Sequence, residues 1–416
     1  MSPIILQRKQ QQPISNIMKA LKIFGFFLLL LCSTQANAAD NTIGVNNEFS
    51  NKTVIIPVDD FIPTFEHPGI MHNSASIARM REIVAKADTS DVAYRAWEGL
   101  KSDFRAQSDY ELRGPYSRIA RQDEYAYTKK GYEADFNAAY MNAIMWVVTG
   151  DESHARKTAE IMTAYANKLE EIPAHNDKAL LAGLETFKLA FALEMISHTS
   201  NIMPHEDIEC VNNMLRSVFL PVLDEFLVSA PYTNGNWGLS VAHSKMALSI
   251  LWDDLKEYQR TIDFLLNGYD NGTFRRYFDI ETGQCQESGR DQGHVQLGLC
   301  FAIGCCEIAW KQGNDLYSQF DNLVHKATEY TARYNAGHDD VPFKKWTDVT
   351  GKYCDWETIS SKNRGDYWSL YGCVYNHYVN RKKMEMPYTL QILEKNDWKA
   401  IYTGIGMDYD LFQFTD

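Results

Sequence analysis

The sequence predicts an all-α fold in which helical hairpins close into an α/α toroid. Three observations carry this expectation. Apolar residues recur at three- and four-residue spacing through almost the whole chain beyond residue 74, and runs of alternating, strand-like character are nearly absent. Connections between the periodic segments are short, and no linker-like segment divides the chain, which argues for one helical domain over residues 39–416. The hairpins repeat at roughly 35 to 50 residues, too unevenly and with too little mutual similarity for a tetratricopeptide-like solenoid. A toroid gathers helix ends and loops around a central cleft, and that cleft is where chemistry is expected.

Taken in order, the chain opens with Lys19 and Lys22 ahead of an unbroken apolar run from Ile23 to Cys32, followed by the small-x-small pattern Ala36-Asn37-Ala38. The run is too short to span a bilayer, so residues 1–38 read as a signal peptide and the mature protein is expected to be secreted or periplasmic, with no membrane span. Cys32 follows Leu31 where a lipidated cysteine needs a small neighbour, so a lipoprotein is disfavoured. Residues 40–70 are irregular and punctuated by Pro57, Pro63 and Pro68. Periodicity predicts a helix from Ser74 to Ser102, then a polar non-periodic loop from Ser108 to Tyr132. Further helices are expected at 133–148, 152–169, 178–198, 206–229, 238–251, 255–266, 291–312, 315–335 and 367–380.

Composition narrows the function. The chain has 416 residues and a formal charge of -13, which becomes -17 once the four basic residues of the signal segment are removed. A protein this acidic is a poor partner for nucleic acid. Export leaves seven cysteines, an odd number without metal-site spacing, read as small apolar core residues. No metal or cofactor is expected.

Two segments concentrate chemistry-bearing side chains at a polar turn entering an apolar helix. The first, Thr233-Asn234-Gly235-Asn236-Trp237-Gly238, leads into a helix carrying His243, seven residues after Asn236 and so on nearly the same face. The second, Gln286-Glu287-Ser288-Gly289-Arg290-Asp291-Gln292-Gly293-His294, sets Glu287, Arg290 and His294 at three- and four-residue spacing. Taken singly these are a helix cap, a buried histidine and an ion pair. Together, an amide, a guanidinium and two imidazoles suit a substrate carboxylate.

The runs NWGLSVAHSKMAL and ESGRDQGHVQLGL, with YMNAIMWVVTGDESHARKTAEIM and YNHYVNRKKMEMPYT, resemble the alginate lyase domain family of polysaccharide lyases, over about residues 67–388. The resemblance implies an incomplete α/α toroid and β-elimination of a uronic-acid polymer such as mannuronan or glucuronan. It further implies that Asn236 and Arg290, with His294 as an added donor, neutralise the uronate carboxylate. His243 is the first choice of base, and Trp237 and Glu287 are assigned to substrate binding. The mannuronate lyases that the chain resembles place His directly after the Asn and Tyr seven residues after the Arg, where this chain has Trp237 and Leu297. The phenolic proton donor must therefore lie elsewhere, with Tyr116, Tyr367 and Tyr375 as candidates.

The polar loop carries Arg113, Arg118 and Arg121 among tyrosines, in an otherwise acidic protein, and reads as a lid or wall of the cleft that meets an anionic polysaccharide. Two other classes stay open. An inverting hydrolase would draw its carboxylates from Asp253, Asp254, Glu287 and Asp291, and a noncatalytic glycan-binding protein would need the aromatics alone.

Overall fold

The computed structural model describes residues 64–415, so the expected signal peptide and the segment up to residue 63 lie outside the described residues. Among the described residues no strand forms, and β pairing is limited to two isolated bridges, Arg118 with Glu171 and Phe278 with Cys285. The first expected helix is two. Helix α1 (Ser74–Lys86) ends at Ala87 in left-handed conformation, and α2 (Val92–Ser102) starts from Asp91, whose carboxylate caps the Ala93 amide. Asp88 accepts hydrogen bonds from the Ser90 amide and hydroxyl, so turn chemistry at Asp88–Asp91 overrides the apolar spacing that runs through it.

Beyond the polar loop, which closes in a 3₁₀ turn at Asp123–Thr128, α3 (Lys129–Thr149) and α4 (Glu152–Ala166) form a hairpin across Gly150 and Asp151. Gly150 takes φ 73° and Asp151 caps Ser153, a Gly stop followed at once by an acidic start. Then come α5 (Lys178–Thr199), α6 (His205–Met214), a π turn (Leu215–Phe219), α7 (Leu220–Val228), α8 (Gly235–Leu251) and α9 (Leu255–Asn267). The chain continues through the short α10 (Phe274–Tyr277) to α11 (Gln292–Lys311) and α12 (Gln319–Ala336). Last are α13 (Tyr371–Tyr375) with a π turn over Asn376–Arg381, α14 (Pro387–Lys395) and α15 (Asp410–Gln413).

Helices α3, α5, α8 and α11 are buried on nearly every face and form the inner row, while α4, α6–α7 and α9 cover them with one apolar stripe each. The inner helices run parallel, because each is joined to the next through an antiparallel outer partner. Register shows this directly: Gly183 of α5 meets Ser240 of α8, and one turn on the Phe187 amide donates to the Ser244 hydroxyl. A Cβ on Gly183 would lie 2.3 Å from the Ser240 Oγ, so this approach requires glycine. An aromatic seam joins the row, with Tyr140 against Phe191 at 4.7 Å and Phe187 against His243 at 4.5 Å between ring centroids. The N-termini of all four inner helices, and the loops that precede them, therefore lie at one end. The irregular stretch 337–370 packs on that end too, where the Ser360 amide donates to the Ser288 carbonyl and the Gln292 amide to the Lys362 carbonyl, both at 2.9 Å.

Candidate active site

The two segments singled out in sequence meet at this end. Asp270 holds the entrance of α8 by accepting from the Tyr232 amide at 2.6 Å, and the Asn271 side-chain NH₂ donates to the Tyr232 carbonyl at 2.6 Å. That fixes Asn234 and Asn236 against the turn that carries Glu287. The Asn236 Nδ2 lies 2.9 and 2.8 Å from the two Glu287 oxygens, the Tyr277 hydroxyl donates to Oε2 at 2.8 Å, and Arg290 Nη1 donates to Oε1 at 2.7 Å. Glu287 is wholly buried, whereas the Arg290 side chain is 28% exposed. The carboxylate thus anchors the guanidinium from beneath while its outer edge faces the cleft. Burial works against the charge of Arg290, but Glu287 and the nearby Tyr353 and Asp291 outweigh it, raising the pKa above the ordinary arginine value.

Two further groups flank the guanidinium. The Asn234 Oδ1 accepts from Arg290 Nη1 at 3.4 Å and from the Tyr353 hydroxyl at 2.5 Å, which leaves the Asn234 NH₂ pointing to other acceptors. The Tyr353 ring centroid is 5.8 Å from the Arg290 guanidinium carbon, and burial raises the phenol pKa while Arg290 opposes the rise. In the first turn of α11, His294 has Nδ1 2.8 Å from both oxygens of Asp291 and an imidazole that is 35% exposed.

Several expectations are corrected here. His243 is not at the site. It is 1% exposed within the aromatic seam between Phe187 and Phe301, and a Cβ on Gly304 would lie 2.7 Å from its Nε2. Neither ring nitrogen has a hydrogen-bond partner, and burial lowers its pKa to about 3, so it is a neutral packing residue without access to substrate. His243→Leu is accordingly expected to keep the catalytic rate within about twofold, with thermal stability unchanged or higher because an unpaired buried polar group is removed. Parallel melting curves and rate assays check both.

Asn236 and Glu287 are buried as well, so they lie beneath Arg290 and not on the surface of the cleft. Trp237, assigned to substrate binding, is 9% exposed and its ring centroid lies 6.4 Å from that of Tyr232. The Tyr116 hydroxyl donates to the Arg113 carbonyl at 2.9 Å and the Tyr367 hydroxyl to the Lys399 carbonyl at 2.8 Å, whereas the Tyr353 hydroxyl donates to the Asn234 Oδ1 that Arg290 also reaches. Tyr375 packs edge-on against Trp398. The loop arginines lie on the correct end of the toroid but are largely paired: Arg118 with Glu171 at 2.9 Å, and Arg121 with Glu133 at 3.1 Å and Asp177 at 3.8 Å. Arg113 is exposed, with its guanidinium 5.3 Å from the Phe104 ring. Of the three arginines expected to meet the substrate, Arg118 and Arg121 are thus matched by local carboxylates.

The residues that the sequence reading passed over are Asn234, Tyr277, Asp291 as a partner for His294, and Tyr353. Tyr353 is held by Asp348, which accepts from the Tyr353 amide at 2.7 Å and from the Asn271 side chain at 2.8 Å. The hydrolase alternative loses its geometry. Asp253 and Asp254 follow the far end of α8, about 25 Å from Asn236 at 1.5 Å per residue, and there Asp253 bonds His67 while Asp254 caps α9. Among the described residues no three His, Cys, Asp or Glu side chains converge on a possible ion position.

A guanidinium anchored from below and open above, beside an imidazole and a phenol and without opposed acids, sets this toroid among polysaccharide lyases. The family model for alginate lyase matches residues 88–341, more than half of the chain, and the protein belongs to the alginate lyase family. Among solved structures, alginate lyase A1-III from Sphingomonas species A1 shares the fold at TM-score 0.60 and 12% identity, over 82% of this chain and 95% of that one. An alginate lyase from Bacteroides ovatus does so at TM-score 0.57 and 11% identity, over 82% and 99%. A variant of A1-III complexed with a tetrasaccharide aligns over 85% of this chain and 97% of its own, at TM-score 0.60 and 12% identity. No curated protein sequence matches.

Proposed function

We propose that the protein cleaves mannuronate-rich alginate or glucuronan by β-elimination outside the cytoplasm, with Arg290, Asn234, His294 and Tyr353 at the reacting sugar. The observation that carries this reading is the Arg290 fork, fixed by buried Glu287 and open toward the cleft. The proton on C5 of a uronate is barely acidic while the neighbouring carboxylate keeps its charge. Arg290 and the Asn234 NH₂ neutralise that charge and stabilise the enediolate that forms. His294 Nε2 takes the C5 proton, the C–H electron pair becomes the C4=C5 bond, and the C4–O4 bond breaks. Tyr353 gives its proton to O4, and the imidazolium and phenolate return to their starting forms by exchange with water. In mannuronate and glucuronate the C5 proton and O4 leave from the same side, which suits an acid and a base flanking one arginine. The family membership and the tetrasaccharide held by the A1-III variant support an anionic polymer as substrate.

The test is to incubate the mature protein with polymannuronate, polyguluronate, glucuronan and a heparin-type polymer while following ultraviolet absorbance of the unsaturated product. A rise with polymannuronate or glucuronan is expected. Reducing ends without absorbance would identify a hydrolase, and no change with any polymer would remove the enzymatic reading.

A further inference from the structure

The Asp291 carboxylate is 3% exposed and the His294 imidazole 35%, so the ring is gripped along its buried edge and presents the other edge to the cleft. Asp291 receives the His294 backbone amide at 2.8 Å, as the N-cap of α11, and it also receives the imidazole: Nδ1 lies 2.8 Å from each oxygen. A carboxylate only accepts, so Nδ1 must be the nitrogen that carries hydrogen, which leaves the lone pair of the neutral ring on Nε2. The carboxylate itself is fixed. The adjacent Gln292 amide donates to the Lys362 carbonyl at 2.9 Å, the Gln292 side chain bonds the Ser360 carbonyl at 3.0 Å, and Lys362 Nζ approaches Asp291 Oδ2 at 3.5 Å. Burial pushes the Asp291 carboxyl up, but the His294 amide, the imidazole and Lys362 outweigh it and hold the group below the usual carboxylate range.

We propose that Asp291 is a positioning residue for the elimination: it selects the Nδ1–H tautomer of His294, aims Nε2 into the cleft and stabilises the imidazolium that forms when the C5 proton is taken. The assignment rests on the reading of His294 as the base. Capping a helix alone would require neither contact with Nδ1 nor a charge, because Asn or Ser caps the same amide about as well. Lys362 from the loop pairs with Asp291 at 3.5 Å, and Asp291, which alone meets Nδ1, is the group whose loss reverses the preferred tautomer.

Asp291→Asn separates the two roles. Asn retains the cap, so the melting temperature is expected to stay within about 2 °C of wild type, while its NH₂ competes for Nδ1 and favours the wrong tautomer. A kcat reduced by about 100-fold or more with KM changed less than about threefold is the expected result, in line with the cost of mis-set tautomers in other carboxylate–imidazole pairs. Wild-type kcat in a normally folded Asp291→Asn protein would reduce Asp291 to a cap. A second readout does not depend on activity. With ¹⁵N-labelled histidine, and His294→Gln to assign the signal, neutral His294 of the wild-type protein should show the Nδ1–H tautomer, and an Nε2–H signature would overturn the proposal. If His294→Gln keeps the full rate, the fault lies with the choice of base; if wild type forms no unsaturated product, it lies with the lyase reading.

Discussion

Arg290→Ala is expected to lower the elimination rate by about three orders of magnitude, the upper range for removal of a fixed donor that meets developing negative charge. The loss should appear in kcat as well as KM, because the guanidinium pairs with the ground-state carboxylate and more strongly with the enediolate. Arg290→Lys should recover only part of it. An ammonium supplies the charge but cannot bond Glu287 and a uronate at once through one planar fork. The Ala variant also leaves Glu287 with Asn236 and Tyr277 as its remaining donors, at a cost of about 2 kcal/mol, below the range for a buried charge stripped of its partner. Stopped assays on polymannuronate, with thermal melts beside them, check both. A rate within tenfold of wild type would remove Arg290 from the site.

Tyr353→Phe should be nearly as damaging to chemistry and almost silent for the fold. The ring keeps its contact with Trp356, at 4.5 Å between centroids, and only the hydrogen bond to Asn234 is lost, worth about 1 kcal/mol. What disappears is the acid that protonates O4 as it leaves, a loss of about 100- to 10,000-fold in kcat with KM nearly constant. Tyr116→Phe and Tyr367→Phe serve as controls, because their hydroxyls bond Arg113 and Lys399 and not the Asn234 that Arg290 shares, and each should change the rate by less than about threefold. If Tyr353→Phe retains wild-type kcat, O4 takes its proton from water.

The inner helices were legible because each is a long apolar segment entered through a polar turn, and Asn236, Glu287, Arg290 and His294 stood at those turns. Their division of labour was not legible. Spacing places Asn236 and His243 on one face, but only the packing of α5 and α11 against α8 shows that this face turns into the core by the second turn, where Phe187, Phe301 and Gly304 enclose the imidazole. Glu287 reads in sequence as a substrate-binding acid, and it becomes an internal anchor because Tyr277 and Asn236 arrive from two other elements. Tyr353 was out of reach for a different reason. It lies in an irregular stretch with no periodicity, and its placement depends on Asp348 accepting four hydrogen bonds at once, from Asn271, the Tyr353 amide and the Thr350 amide and hydroxyl.

The parallel inner row has a consequence for how so acidic a protein attracts a polyanion. Helices of 21, 22, 17 and 20 residues all start at the cleft end, and each start carries the equivalent of about half a positive charge from its aligned peptide groups. These partial charges appear in no count of lysines and acids, and no change of pH titrates them. The formal charge of -13 sums side chains over the whole sequence and takes no account of the direction in which the peptide groups point. The polymer's carboxylates, once within a helical turn of the rim, meet a backbone whose polarity is set by chain direction alone.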